Sequence, residues 1–125
     1  MMTLVLTALG GGLGSVLRVM LDGAIHRVNR TEFLLGTMAI NVTGSFVLGV
    51  LTGASISFIL TGDWERIVGT GVIGGYTTFS TASVESARYL EEGRRRMAVV
   101  HAVSMAAFSM LAGLAGLALG RALPL

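Results

Sequence analysis

Hydroxyl and glycine residues are clustered where an otherwise apolar chain would cross a lipid bilayer. The segment GTGVIGGYTTFSTASVE, residues 69–85, contains a Gly-Gly pair followed by a run of hydroxyl residues around one phenylalanine. Glycine disturbs a helix, and at membrane depth a broken backbone survives only inside protein or beside a cavity. Broken membrane helices commonly hold ions, and unwound carbonyl oxygens suit a small hard cation such as Na⁺. We therefore expect residues 74–82 to form the functional centre.

Polar residues also recur at helical spacing on two other hydrophobic segments. On the second segment they are Thr37, Asn41 and Ser45, and on the last they are His101 and Ser109, with the apolar Met105 on the same face. Residues four apart share one face of a helix. An amide in hydrocarbon must find a partner, so Asn41 either bonds to a neighbouring helix or contributes to a polar pore wall. His101 alone is more typical of a packed or solvated side chain.

Three further side chains have the chemistry to act on ions. The ring edge of Phe79 carries positive potential and could meet an anion, although the ring could instead face lipid. Arg18 lies eight residues after Gly10 and four after Gly14, on the face expected to pack inward. It either extends to the membrane interface or provides a fixed charge that draws anions into a vestibule. Glu85 is the partner we expect for Arg18.

Composition and segment length indicate an integral membrane protein. Of the 125 residues 53% are hydrophobic and 13% charged, whereas a soluble domain has about a quarter charged residues. A membrane-spanning helix needs roughly 20 apolar residues, and four segments qualify: residues 3–21, 33–60, 67–89 and 97–119. Their short connections predict one four-helix domain over residues 1–125, with the first segment retained as a span. Without cysteine, disulfides and thiolate metal sites are excluded.

Glycine spacing and arginine placement predict how these spans pack and insert. The pairs four residues apart, which predict close contact between helices, are Gly10/Gly14, Gly49/Gly53 and Gly71/Gly75. The loops after the first and third spans contain Arg27, Arg30, Arg94, Arg95 and Arg96, against Arg66 and Arg121 on the side of the termini. Because arginine-rich loops stay in the cytoplasm, the termini are expected outside. This placement explains the basic composition without nucleic-acid binding.

The motifs together resemble the Fluc/CrcB fluoride channels over essentially the whole chain. The matching stretches are GGGLGSVLRVML, LLGTMAINVTGSFVLGV and GVIGGYTTFSTASVE in the first three spans, and EEGRR before the fourth. The resemblance implies an all-α membrane protein in the plasma membrane, with four transmembrane helices per subunit and a broken third helix. It implies an antiparallel dimer, surrounded by lipid, with two pores for passive fluoride efflux that lowers fluoride toxicity. No residue set for covalent chemistry is evident, so an enzyme is not expected.

The resemblance also implies roles for individual residues. A structural Na⁺, not transported, would be held by the carbonyls of Gly74 and Thr77. The fluoride pathway would be formed by Asn41, Phe79, Ser80, Thr81 and Ser109. Arg18 and Glu85 occupy family positions with vestibule or structural roles. His101 aligns with the polar track, and Met105 stands where a polar group is common.

One departure from the family pattern leaves the composition of the dimer open. The family usually reads TTFSTF, whereas this chain reads TTFSTA, so Ala82 replaces the second ring of the usual pair. An antiparallel homodimer also needs a nearly balanced arginine distribution, and five against two favours one orientation. The partner could thus be a second copy or an oppositely oriented homologous subunit. Alternatives are a pore-incomplete structural subunit and, less favoured, a proton-coupled multidrug antiporter, which would need an embedded carboxylate that the first span lacks.

Overall fold

The structure is a computed structural model that describes residues 1–31, 33–56 and 62–124. Most of this part of the chain is helical. Helix α1 spans Met2–Val28, α2 spans Leu35–Ile56 and α5 spans Arg95–Ala122. The third hydrophobic segment forms two helices. In α3 a π-helical stretch, Glu65–Ile73, continues into one α-helical turn, Gly74–Tyr76, and α4 spans Phe79–Glu91. The predicted all-α class and the broken third helix are confirmed.

Three of these helices are long and apolar enough to cross a bilayer unbroken: α1, α2 and α5. Helices α1 and α5 extend beyond their predicted spans at both ends, as α1 does by continuing to Val28, whereas α2 begins two residues after the predicted start. Residues 57–60, the end of the second predicted span, lie outside the described residues. The third span is shared between α3 and α4, because the helix is interrupted at Thr77 and Thr78.

Glycines permit the helices to pack backbone against backbone. A Cβ at Gly14 would collide with the carbonyl oxygen of Val72 in α3, and one at Gly75 would collide with the carbonyl oxygen of Gly11 in α1. Between α2 and α5, a Cβ at Gly49 would strike the carbonyl oxygen of Gly113. The predicted role of the glycine pairs in close helix contact is therefore confirmed.

The break in the third span gives its two halves, α3 and α4, different neighbouring helices. Helix α3 packs mainly against α1 and also contacts α2, whereas α4 packs mainly against α5. Helices α2 and α5 lie side by side and form the largest contact in the described part of the chain. Because α4 turns away from α1 toward α5, a groove opens among α2, α4 and α5, directly beside the break.

Candidate ion pathway at the broken helix

The side chain of Asn41 pairs with the backbone at the break. Its Nδ2 donates to the carbonyl oxygen of Thr78, and its Oδ1 accepts from the N–H of Thr78, both at 2.8 Å. Thr77 and Thr78 are extended, with ψ of 157° and 120°. The amide of Asn41 thus supplies the donor and acceptor that a neighbouring backbone would supply in a sheet. This pair satisfies buried backbone groups that hydrocarbon would leave unpaired.

The hydroxyl of Thr78 begins α4. Thr78 Oγ1 accepts from the N–H of Thr81 at 3.2 Å, as expected of an N-cap residue. The same oxygen lies 3.1 Å from the hydroxyl of Thr81 and 3.3 Å from that of Ser80. The predicted track residues Ser80 and Thr81 are therefore gathered at the start of α4, where the helix dipole is positive.

The pairing at Thr78 frees two carbonyl groups at the break. In an unbroken α-helix the N–H of Thr78 would donate to Gly74, and that of Thr81 would donate to Thr77. Here these two N–H groups donate to Asn41 and to the Thr78 hydroxyl. Carbonyl oxygens are ligands that hard cations prefer. Gly74 and Thr77 therefore fit the predicted Na⁺ ligands, although their role stays a prediction.

In the described part of the chain, the acidic and histidine side chains do not indicate a metal site of their own. Within residues 1–31, 33–56 and 62–124, His, Asp and Glu form no group of three or more placed to hold a metal ion. A cation at the break would accordingly depend on backbone oxygens.

The groove beside the break has a volume of about 680 Å³. Its lining is largely apolar and includes Asn41, Phe79, Ala82, His101, Met105 and Ser109. Phe79 is 88% exposed, so its ring projects from the subunit and does not pack into it. Ala82, one helical turn later, is buried and leaves space where a larger side chain would stand.

One end of the groove contains a buried cluster around His101. The imidazole is fully buried, with Nδ1 at 3.0 Å from Ser86 Oγ and Nε2 at 3.3 Å from Glu85 Oε2. Glu85 Oε1 also accepts from the hydroxyl of Thr37 at 2.7 Å. The rings of Phe33 and Tyr89 flank the imidazole. Glu85 is thereby paired with His101, and the expected partnership with Arg18 is wrong within the subunit.

The pair of His101 and Glu85 could hardly be predicted from the sequence. His101 and Glu85 belong to different helices, and periodicity identifies a shared face only within one helix. The usable signal was that a carboxylate and an imidazole occur in neighbouring apolar spans, where each needs a partner. Arg18, in contrast, is half-buried on α1 and does not line the groove. Its vestibule role stays a prediction.

Met105 and Ser109 follow His101 along the groove face of α5. Met105 is 7% exposed, and its Sδ lies 3.6 Å from Nδ2 of Asn41. The hydroxyl oxygen of Ser109 is buried and has no hydrogen-bond partner in the described part of the chain. The predicted residues Asn41, Phe79 and Ser109 are thus gathered around one groove, with Ser80 and Thr81 in the adjoining turn.

Comparisons with known proteins place this chain among fluoride channel sequences. Residues 5–121 match the family described as CrcB-like protein, Camphor Resistance (CrcB). Fluoride-specific ion channel FluC 1 of Leifsonia xyli is 48% identical over 113 residues, which cover 90% of this chain and 82% of that protein. FluC 2 of Cutibacterium acnes is 43% identical over 120 residues, 95% and 98% of the two chains. FluC of Rhodospirillum rubrum is 38% identical over 113 residues, 88% of each.

Proposed function

The chain belongs to the CrcB family, and we propose that it forms a fluoride-specific ion channel that gives passive fluoride efflux across the cell membrane. It is a multi-pass integral membrane protein with apolar spans. The observation that carries the proposal is the pairing of Asn41 with Thr78, which places a broken helix and its polar groups beside an open groove. A channel of this kind performs no covalent chemistry and is not an enzyme.

The groups around the groove suit a small, strongly hydrated anion. A pore must replace the hydration shell with other favourable contacts and must also release the ion. The N–H of Asn41 that does not donate to Thr78, the hydroxyls of Ser80 and Thr81, and the ring edge of Phe79 can each face an anion. No arginine lines the groove in the described part of the chain, so fluoride would meet weak partners in succession and no deep charged trap.

We propose that the pathway is completed by a second, oppositely oriented subunit. The support is that Phe79 is 88% exposed beside an open groove whose wall includes the side chain of Asn41 and the backbone at Thr77 and Thr78. Facing lipid, such polar groups would be costly. A homodimer would have the same patch on both subunits across a two-fold axis. A heterodimer with a homologous subunit would instead accommodate the unequal arginine distribution and Ala82.

A structural Na⁺ at the dimer centre is the cofactor that we propose. Its support is the diversion of two N–H groups that leaves the carbonyls of Gly74 and Thr77 without their helical donors. A two-fold axis close to the break would double the number of such oxygens. The ion would hold the two breaks together and would not be transported.

A pore-incomplete structural subunit is the second candidate. The specific observation in its favour is that Ala82 is buried against the groove and offers no ring edge one turn after Phe79. Such a subunit would keep the fold and the cation site but conduct only when paired with a homologue. A proton-coupled antiporter is not supported, because the embedded carboxylate of Glu85 is engaged by Thr37 and His101.

The test is fluoride efflux from liposomes that contain this chain alone, repeated with a neighbouring homologous subunit added. Rapid fluoride efflux, with chloride retained, is expected from at least one of the two preparations. Efflux only with the homologue would identify the structural subunit of a heteromer. Equal accessibility of terminal tags from both sides, with efflux intact for the chain alone, would establish the homodimer. Fluoride retention in both preparations would refute the channel.

A further inference from the structure

Asn41 uses all of its hydrogen-bonding groups, and one of them has a weak partner. One N–H of Nδ2 donates to the Thr78 carbonyl at 2.8 Å, and Nδ2 also donates to Met105 Sδ at 3.6 Å. The longer distance suits the larger sulfur atom. A thioether is a weak acceptor, so this second N–H is occupied but loosely held.

The side chain of Met105 adjoins open space. It lines the groove of about 680 Å³, although only 7% of the residue is exposed. Methionine is unbranched, has three rotatable side-chain bonds and adapts easily to irregular spaces. Four residues later, the hydroxyl oxygen of Ser109 is buried without a hydrogen-bond partner among the described residues. The thioether therefore occupies the loosely held N–H of Asn41 in the same groove as the Ser109 hydroxyl.

We propose that Met105 is a replaceable acceptor that occupies the second N–H of Asn41 until fluoride takes it. This inference depends on the proposed fluoride pathway. An anion forms a charge-assisted hydrogen bond, roughly twice as strong as a neutral one, so fluoride displaces the thioether. When the ion leaves, the sulfur returns, and the N–H is never left buried without a partner. Met105 thus weakens fluoride binding enough for release and sets the transit rate.

Competition of this kind has a calculable effect on affinity. The apparent dissociation constant of fluoride is multiplied by one plus the equilibrium constant of the N–H···S contact. For a contact at the weak end of neutral hydrogen bonds, this factor is about threefold. Removal of the sulfur acceptor should therefore tighten fluoride binding by about that factor and slow its release.

The first experiment compares Met105→Leu with the wild type and with Met110→Leu. Leucine nearly conserves volume, so the fold should be retained, but it has no acceptor atom. Met110, on the same helix, is 69% exposed and does not line the groove, which makes it a matched control. In efflux measured against fluoride concentration, Met105→Leu should lower the half-saturating concentration about threefold and lower the maximal rate. Identical curves for all three proteins would overturn the proposal.

A second measurement is independent of conduction and of any variant. In the micelle-solubilised wild-type chain, the side-chain amide protons of Asn41 and the methyl group of Met105 are followed by nuclear magnetic resonance during titration with sodium fluoride. One amide proton and the methyl group should shift together with a single midpoint. A shift of Asn41 alone, or of neither group, would overturn the displacement. If liposomes retain fluoride both with this chain alone and with the homologous subunit added, the channel proposal fails, and this titration still decides the role of Met105.

Discussion

Substitution of Asn41 by alanine should destabilise the break itself, in addition to any effect on ion flow. The wild-type amide makes two hydrogen bonds of 2.8 Å to Thr78, one in each direction. Thr78 is only 7% exposed, so its backbone groups depend on Asn41 and not on water in the wild type. Alanine would leave one backbone donor and one backbone acceptor without partners in the interior.

The size of this effect follows from the two groups that lose a partner. A buried donor or acceptor left unsatisfied costs about 1–3 kcal/mol, so Asn41→Ala should lower the free energy of unfolding by about 2–6 kcal/mol. The lower part of this range applies if the break closes, because the N–H of Thr78 can then return to the carbonyl of Gly74. In that case stability is lost mainly because closing the break disturbs the packing of α4 against α5.

The assay is reversible unfolding in mixed micelles, combined with amide hydrogen exchange at Thr78. Exchange at Thr78 should accelerate if the break persists without Asn41, and it should remain slow if the helix closes. Ser45→Ala is the matched control, since Ser45 lies one turn further along α2 on the same groove. It should change stability by no more than about 0.5 kcal/mol. Equal unfolding free energies for wild type and Asn41→Ala, with unchanged exchange, would refute the reasoning.

Three further predictions concern the ring, the helix contacts and the cation. Phe79→Ile should abolish fluoride efflux while cross-linking still detects the dimer, because the exposed ring offers its edge to fluoride and packs little within the subunit. Normal efflux would refute this role of the ring edge. Gly14→Ala should cost about 1–3 kcal/mol by overpacking, since its Cβ would collide with Val72, whereas Gly12→Ala, with nothing within 4 Å, should be harmless. Similar stability of these two variants would contradict the packing. Replacement of Na⁺ by a larger cation should stop efflux, and continued efflux would argue against the carbonyl site.

The sequence predicted the elements well because hydrocarbon imposes simple requirements. Apolar length indicated the spans, and glycine spacing indicated that helices pack closely, without showing which helices meet. The position of the break was predictable too, since a Gly-Gly pair followed by hydroxyl residues favours interruption of a helix. The π-helical stretch Glu65–Ile73 was not predicted. A π-helix uses i→i+5 hydrogen bonds in place of i→i+4, and the prediction considered only the α-helical period.

Partners across helices were harder to predict than faces within one helix. Asn41 was expected to point inward, but its pairing with Thr78 joins residues 37 positions apart in the chain. Glu85 was expected to meet Arg18 because opposite charges attract, yet it meets His101. Whether Glu85 meets Arg18 or His101 depends on the turn of α4 toward α5 after the break. Spacing along one helix cannot specify the direction of that turn.

Asn41 links the proposed cation site to the proposed anion path through a single backbone residue. Because its Oδ1 takes the N–H of Thr78, the carbonyl of Gly74 is free for a cation. Because its Nδ2 faces Thr78 and Met105, the same amide borders the groove. Any motion that returns the N–H of Thr78 to Gly74 would remove a cation ligand and reorient the amide together. Under the proposed function, the bound cation would therefore hold the fluoride path in its conducting geometry.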